Sequence, residues 1–220
     1  AHPLLEKGFD LLATDVSSEA IEFCKGRWAA YKDKFRVVDC VKDVLCDRFE
    51  FIYAVAVLHM LVLDEDRNAF YRFIHTHLSE NGVALTVPST WVSAESKSNM
   101  TLLAVADPNS KDSSGFSNVN INVEKKETTN TLKNEFESNY KSLSRNSDYE
   151  IEYLGNATVQ GNDAMEAAYL TTGGSVVKEH KAVWLQGDGE IYVILCTSPQ
   201  DQFDNYEPIF NYAINSVKIN

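Results

Sequence analysis

Two aspartates, Asp15 and Asp39, each close an apolar stretch that has the pattern of a β-strand. The first stretch covers residues 9–15 and the second covers residues 35–39. A carboxylate at the carboxyl end of a strand, in a strand–helix unit, can accept hydrogen bonds from both hydroxyls of a ribose. The same side chains could instead start loops or cap helices, which is common for aspartate. The two residues alone therefore leave a nucleotide site and a structural role both open.

Strand and helix patterns alternate along the part of the chain that contains these aspartates. The pattern predicts strands at residues 9–15, 35–39, 49–60 and 83–87, and helices that begin at Ser17 or Ser18 and at Asp64. The second helix should close at Asn81 and Gly82. Residues 49–60 are apolar at nearly every position, as in a parallel sheet that is buried on both faces. This alternation predicts a partial, doubly wound Rossmann-like sheet in which strand 83–87 lies parallel to strand 49–58.

Two segments carry a family resemblance: FDLLATDVSSEAIEFCKGR at 9–27 and FEFIYAVAVLHMLVLDEDRNAFYRFIHTHLSENGVAL at 49–85. Together they resemble a class I S-adenosylmethionine-dependent methyltransferase. The resemblance implies that Asp15 would hold the ribose hydroxyls of S-adenosylmethionine. It places Asp39 near the adenine amine with the backbone of Cys40 beside it, and residues 54–59 beneath the methyl group.

The resemblance is to an incomplete methyltransferase. The family opens with a strand and a glycine-rich turn that approaches the methionine part of the cofactor, and nothing before Leu4 can supply them. The family's first strand is normally central, so its loss would expose two edges of the sheet. This class of enzyme chiefly positions its reactants, and we therefore expect a remnant with no catalytic residues. The alternative is a working methyltransferase that acts on a small molecule and is completed by further sequence or another chain.

The spacing of apolar residues changes in residues 88–220, and this part of the sequence predicts an α+β domain. Strands are expected at 91–95, 99–107 and 118–126, followed by a helix at 131–144, four more strands and a closing helix at about 203–215. The last four strands are punctuated by Gly173-Gly174 and by Gly187-Asp188-Gly189, which are typical of hairpin turns. The expected architecture is a long antiparallel sheet with helices packed on it.

This order resembles the PsbP-like domain, the fold also found in the Ran-binding Mog protein. The resemblance is carried by PSTW at 88–91, GDGEIYVILCTSP at 187–199 and FDNYEPIFNYAINSVKI at 203–219. Members are mostly non-catalytic binding or assembly proteins, so it implies a protein partner for residues 88–220. Bacterial members often sit outside the membrane, whereas the first part of the chain is of a cytoplasmic type. The compartment is left open by this conflict.

Composition narrows the classes of function. The chain has 20 Lys+Arg against 32 Asp+Glu and a net charge of -12, which argues against nucleic-acid binding through a basic surface. No apolar run reaches membrane-spanning length. None of the four cysteines forms a CxxC pair, and His75 and His77 should point to different sides of one helix, so we expect no metal site. Acids at 201–207 could suggest a cation site, but acids in a first helical turn explain them better.

The two resemblances meet at residue 87 without a linker, which divides the chain into residues 1–87 and 88–220. Pro88 should end the preceding strand because it cannot donate to a sheet. Trp91 should then anchor the second domain. A natural fusion would normally keep whole domains and an exposed linker. A gene-fragment fusion, an assembly artefact and an artificial chimera all remain compatible with the join.

Overall fold

The computed structural model describes residues 2–54, 57, 60–88, 90–94, 96 and 98–219. The chain forms two compact units, the first comprising residues 1–48 and 58–77, and the second residues 49–57 and 78–220. Among the described residues, no helix is both long enough and apolar enough to cross a bilayer.

The described residues of the first unit form three α-helices, a 3-10 helix (Ala29–Lys34) and two short strands: α1 (His2–Glu6), β1 (Ala13–Asp15), α2 (Ser18–Arg27), β2 (Phe35–Val37) and α3 (Asp64–His77). Ser17 begins α2 as predicted, because its hydroxyl accepts a hydrogen bond from the backbone N–H of Ala20 at 3.1 Å. Ile21 on α2 packs with Leu5 and Phe35 in a small core. The face of α2 that carries Ile21 therefore points into this core.

The second unit contains two sheets, of which the smaller has three strands. These are β3 (Phe49–Ala54), β4 (Leu78–Thr86) and the terminal β12 (Lys218–Ile219), in the order β12-β4-β3. Strand β3 runs parallel to β4, with Phe51 opposite Val83 and Ala54 opposite Thr86. The predicted parallel pairing of strand 83–87 with strand 49–58 is confirmed for these residues. Strand β12 pairs antiparallel with β4, which the sequence did not predict.

Two boundaries around β4 differ from the prediction. The helix α3 ends at His77 rather than at Asn81, and residues 78–82 belong to the strand. Gly82 lies inside that strand, where a Cβ atom would stand 3.0 Å from the Ser79 carbonyl oxygen and 3.1 Å from that of Phe49. The glycine therefore permits a close approach of two strands and does not stop a helix.

The described residues do not form a single doubly wound sheet. Strands β1 and β2 form a parallel pair of their own, whereas β3 and β4 lie in another sheet. The described residues thus hold two parallel pairs. Of the predicted strand at 49–60, residues 55, 56, 58 and 59 lie outside the described part.

The larger sheet of the second unit has seven antiparallel strands in the order β5-β6-β7-β11-β10-β9-β8. Their bounds are β5 (Val92–Ser93), β6 (Thr101–Ala106), β7 (Asn120–Glu127), β8 (Tyr149–Val159), β9 (Asn162–Thr171), β10 (Lys178–Gln186) and β11 (Glu190–Pro199). The predicted long antiparallel sheet and its hairpins at 172–177 and 187–189 are confirmed.

Two helices cover the opposite faces of this sheet. Helix α4 (Leu132–Leu143) buries Phe136 and Tyr140 against Trp184, which donates from its indole N–H to the Tyr140 hydroxyl at 3.1 Å. Helix α5 (Phe203–Ser216) buries Phe210 on the other face. We call these the α4 face and the α5 face. Because strand side chains alternate, β9, β10 and β11 contribute buried side chains to both cores.

The core under α5 includes residues from both sides of the predicted join. Val83, Leu85 and Val87 cluster with Trp91 and Phe210, whose rings meet edge to face at 6.4 Å between centroids. The Thr86 backbone N–H also donates to the Ser216 hydroxyl at 2.8 Å. The division into domains 1–87 and 88–220 stays a prediction, and the compact units of the structure do not divide at residue 87.

Candidate functional site

The structure brings Asp15 and Asp39 to the same end of two neighbouring strands. Asp15 is the last residue of β1 and lies opposite Val37, the last residue of β2, in a parallel register. The Val38 N–H donates to the Asp15 carbonyl oxygen at 2.9 Å, so the chain leaves both strands side by side. This is the arrangement that the two strand ends predicted.

The Asp15 carboxylate organises the turn into α2. Its Oδ1 accepts a hydrogen bond from the Ser17 N–H at 2.8 Å. Ser17 in turn caps the helix, so the carboxylate helps to fix the capping residue. The Asp15 side chain is exposed, so its position is open to a ligand. It also has the structural role, at the start of a helix, that was the alternative to a nucleotide site.

Both oxygens of the Asp39 carboxylate have partners within its own loop. Oδ1 accepts from the Val41 N–H at 3.0 Å, and Oδ2 pairs with the Lys42 ammonium at 2.9 Å. The Lys42 hydrogen bond, followed by that of Val41, holds the pKa of Asp39 below its ordinary value. An adenine amine or ribose hydroxyl would have to compete with Lys42 for this carboxylate.

The neighbouring thiol and the histidines add no reactive group to this end of the strands. Burial, with a smaller contribution from Asp39, raises the pKa of the half-buried Cys40 thiol, which keeps it protonated and unreactive. His77 is buried: its Nε2 accepts from the Leu45 N–H at 2.8 Å, and its Nδ1 lies 2.6 Å from the Phe73 carbonyl oxygen. His75 is exposed, so the two histidines do face different ways.

The structure can be searched for metal-ligating side chains, whereas most of the predicted floor of the cofactor site lies outside the described residues. The described part of the chain holds no cluster of three metal-ligating side chains. The floor was predicted at residues 54–59, of which 55, 56, 58 and 59 lie outside the described residues. The cofactor role of Asp15, Asp39 and Cys40 thus stays a prediction.

A histidine of the second unit, which the sequence analysis passed over, lies on the α4 face. The two ring nitrogens of His180 lie 2.8 Å from the Thr171 hydroxyl and 2.9 Å from the Thr197 hydroxyl. Its ring stacks on Tyr169 at 4.6 Å between centroids. Burial lowers the pKa of His180 to about 4, so the imidazole is neutral at neutral pH, with one nitrogen donating and the other accepting. Such a group holds three strands together and is a weak general base.

A buried charge, that of Glu135, fixes the connection between β7 and α4. Its carboxylate accepts hydrogen bonds from the Thr128 hydroxyl at 2.7 Å, from the Asn130 amide at 2.7 Å and from the Lys126 ammonium. These donors, with Lys126 the largest contribution, lower the pKa of Glu135 to about 2. The carboxylate is a structural anion.

Of the acids near the last helix, Glu207 lies beside a cation that belongs to the chain itself. Lys181 on β10 lies 3.5 Å from the Glu207 carboxylate and 3.7 Å from that of Glu166, and it donates to the Asn211 side chain at 3.0 Å. Nearby, burial and then the charges of Glu152, Asp204 and Glu207 raise the pKa of Glu179. Around Lys181 the α5 face therefore carries more carboxylates than this lysine neutralises.

The long strand β8 forms one edge of the seven-stranded sheet. It has eleven residues, whereas β5 at the opposite edge has two. Tyr153 and Leu154 are 48% and 46% exposed, although large apolar side chains in a sheet are normally covered. This edge is therefore the longer of the two edges of the seven-stranded sheet.

Comparison with known proteins finds similarity only among solved structures. No protein-family model matches the chain, and no curated protein matches it. Cyanobacterial PsbP from Synechocystis sp. PCC 6803 is similar over 64% of this chain and 95% of its own, with 14% identity and a TM-score of 0.47. For LpqN of Mycobacterium tuberculosis the shares are 63% and 83%, with 15% identity and a TM-score of 0.45.

A methyltransferase is also among the similar structures. An S-adenosylmethionine-dependent methyltransferase from Clostridium acetobutylicum is similar over 95% of this chain and 66% of its own, with 10% identity and a TM-score of 0.35. The chain is therefore similar to solved structures of both classes that its sequence resembles. These likenesses concern fold alone.

Proposed function

We propose that residues 88–220 act as a non-catalytic protein-binding module of the PsbP-like type, joined to a methyltransferase-like remnant. The observation that carries the proposal is the open edge of β8, an eleven-residue strand at the end of an otherwise covered sheet. An exposed strand edge offers a row of backbone donors and acceptors to a partner.

The use of the buried polar groups supports binding over catalysis. Both ring nitrogens of His180 are engaged with threonine hydroxyls, and the Glu135 carboxylate accepts three side-chain hydrogen bonds. A catalytic acid or base needs a proton that it can exchange with a substrate near the working pH. These groups instead direct their hydrogen bonds to the fold.

The coverage of the sheet supports the same conclusion. The α4 face is packed against Phe136 and Tyr140, and the α5 face against Phe210 and Ile214. A ligand pocket is usually a concave, largely apolar cavity, and these two apolar faces are already filled by the chain's own helices. A partner can then bind at the edge without displacing a helix.

For the first unit we propose that the chain binds S-adenosylmethionine weakly or not at all. Asp39 is already paired with Lys42, and β1 and β3 lie in different sheets. The alternative function is a small-molecule methyltransferase that uses S-adenosylmethionine and is completed by further sequence or another chain. One observation favours this alternative, namely the side-by-side placement of Asp15 and Asp39 at the ends of β1 and β2.

Calorimetric titration of the purified chain with S-adenosylmethionine separates the two functions. The binding module predicts no saturable heat at ligand concentrations up to about 1 mM, which corresponds to about -4 kcal/mol. Asp15→Ala should leave that result unchanged. Low-micromolar binding that Asp15→Ala abolishes would establish the methyltransferase alternative.

Photo-crosslinking tests the binding module directly. A photoreactive amino acid is placed in turn at Tyr153 on β8, Glu137 on α4 and Tyr212 on α5, all exposed positions of the second unit. In an extract of the organism that encodes the chain, at least one position should yield a discrete adduct that an excess of unlabelled chain removes. If none of the three does so, the proposed function is refuted.

A further inference from the structure

The edge of β8 is regular along most of its length. From Tyr153 opposite Ala168 to Val159 opposite Asn162, seven consecutive residues pair with β9 without interruption. A register shift between Ile151 and Tyr153 marks the only irregularity of the pair. In the described part of the chain no other strand pairs with β8. A second strand can therefore be added along this stretch.

The side chains of β8 do little to block such an addition. Edge strands are commonly protected by lysines, by prolines or by being very short. The strand YEIEYLGNATV contains no lysine and no proline, and its charged residues are Glu150 and Glu152. The Tyr153 ring lies over Gly155, where a Cβ atom would collide with it, so this aromatic ring follows the strand.

The two faces of the edge differ in chemistry. Glu150 pairs with Leu170, which pairs with Glu179 of β10, so the two glutamates share one row across the sheet. Burial and then the charges of Glu152 on β8 and of Asp204 and Glu207 on α5 raise the pKa of Glu179, so carboxylates gather on this side of the edge. On the opposite face, the exposed Leu154 pairs with Ala167, a residue of the α4 core. The edge thus offers acids on the α5 face and an apolar side chain on the α4 face.

We infer that β8 accepts an extended basic segment of another protein as an eighth strand of the sheet. Backbone hydrogen bonds would hold the segment, while lysines or arginines at alternate positions meet Glu150 and Glu152 and apolar residues between them meet Leu154. This inference rests on the proposed function and names its site and its partner. Charge selects this occupant: with a net charge of -12, a second copy of the chain would bring further negative charge to an edge that already carries Glu150 and Glu152.

The test uses a fluorescein-labelled ten-residue peptide of alternating Lys and Val, followed by fluorescence anisotropy. It should bind the full chain saturably, and a Glu–Val peptide should not bind. N-methylation of all the lysine residues, or of all the valine residues, removes the N–H groups of one edge of the peptide. At least one of these two peptides should bind about tenfold or more weakly, because a strand bonds through one edge.

Two charge reversals locate the site on the protein. Glu152→Lys on β8 should weaken binding about fivefold or more, whereas Glu137→Lys on α4 makes the same charge change elsewhere and should stay within about twofold. Tyr153→Lys places on the edge a charge of the kind that discourages the addition of another strand, and it should also weaken binding. Thermal melts establish that each variant is folded.

The inference is overturned if both methylated peptides bind like the parent, or if the two charge reversals weaken binding equally. Sedimentation showing a dimer that Tyr153→Lys dissolves would also overturn it, because the edge would then belong to a second copy. Saturable crosslinking from Glu137 or Tyr212 without peptide binding at β8 would reject this site and leave the proposed function standing. If neither crosslinking nor peptide binding is observed, both this site and the proposed function are rejected.

Discussion

Leu85→Ala should destabilise the second unit, although Leu85 precedes the predicted join at residue 87. The side chain is 3% exposed and belongs to the core that contains Trp91 and Phe210. If residues 1–87 were only tethered to residues 88–220, this substitution would leave the seven-stranded sheet unaffected. The structure makes β4 a part of that core, so the unfolding of residues 88–220 should report the change.

The size of the effect depends on the atoms removed. The substitution deletes three buried carbon atoms, which cost about 2.4 kcal/mol at about 0.8 kcal/mol each. The cavity left behind adds to this, and measured Leu→Ala losses in cores run from about 2 to about 5 kcal/mol. We expect a loss of about 3 kcal/mol. At a urea dependence of about 2 kcal/mol per molar, the midpoint should fall by about 1.5 M.

The assay is urea unfolding followed by tryptophan fluorescence. The chain has three tryptophans, and a Trp28→Phe background leaves Trp91 and Trp184, both in the second unit. Leu63→Ala is the matched control, since Leu63 is 53% exposed in the first unit and should shift the midpoint by less than about 0.3 M. A Leu85→Ala midpoint within about 0.3 M of the parent would refute the shared core.

Three further predictions concern titration and thiol access. As the pH falls from about 6.5 to about 4, the second unit should lose up to about 3 kcal/mol, because the unfolded chain protonates His180 before the folded chain does. In urea unfolding at several pH values, His180→Gln should remove this loss and His75→Gln should keep it. Glu135→Gln should lower the free energy of unfolding by about 2 kcal/mol at pH 7. It should also abolish the further loss of stability below pH 4.5, since the folded carboxylate has a pKa of about 2. A variant that loses as much stability below pH 4.5 as the parent would contradict the structural role of this carboxylate. A thiol reagent should label the exposed Cys46 at once but the fully buried Cys196 only at the rate of unfolding, and immediate labelling of Cys196 in a Cys46→Ala variant would contradict its burial.

Local pattern was enough to predict the elements and their inward faces. Phe136 and Tyr140 on α4, and Phe203 and Phe210 on α5, have spacings that helical periodicity alone places on one face, and these side chains are buried. The parallel pairing of β3 with β4 follows from the length of the connection between them. The placement of Asp15 beside the strand that leads to Asp39 follows from the same rule.

The His180 network could not be predicted, because it depends on register. His180 meets Thr197 and Tyr169 only because β10 pairs with β11 and β9 in one particular alignment. A shift of one residue would turn its ring to the α5 face. The sequence offers a histidine in a strand pattern, and only the assembled sheet supplies its partners and the burial that lowers its pKa.

The sequence by itself determined that the chain contains a parallel α/β part followed by an antiparallel α+β part, because helix and strand periods and turn residues are local properties. The tertiary structure alone decided where the compact units divide. Strand β12 has two residues and no pattern of its own, yet it pairs with Ala84 and Val83 on β4. Contacts between residues so distant in the chain leave no local signal in the sequence. They form when apolar surfaces that would each be exposed to water pack against one another.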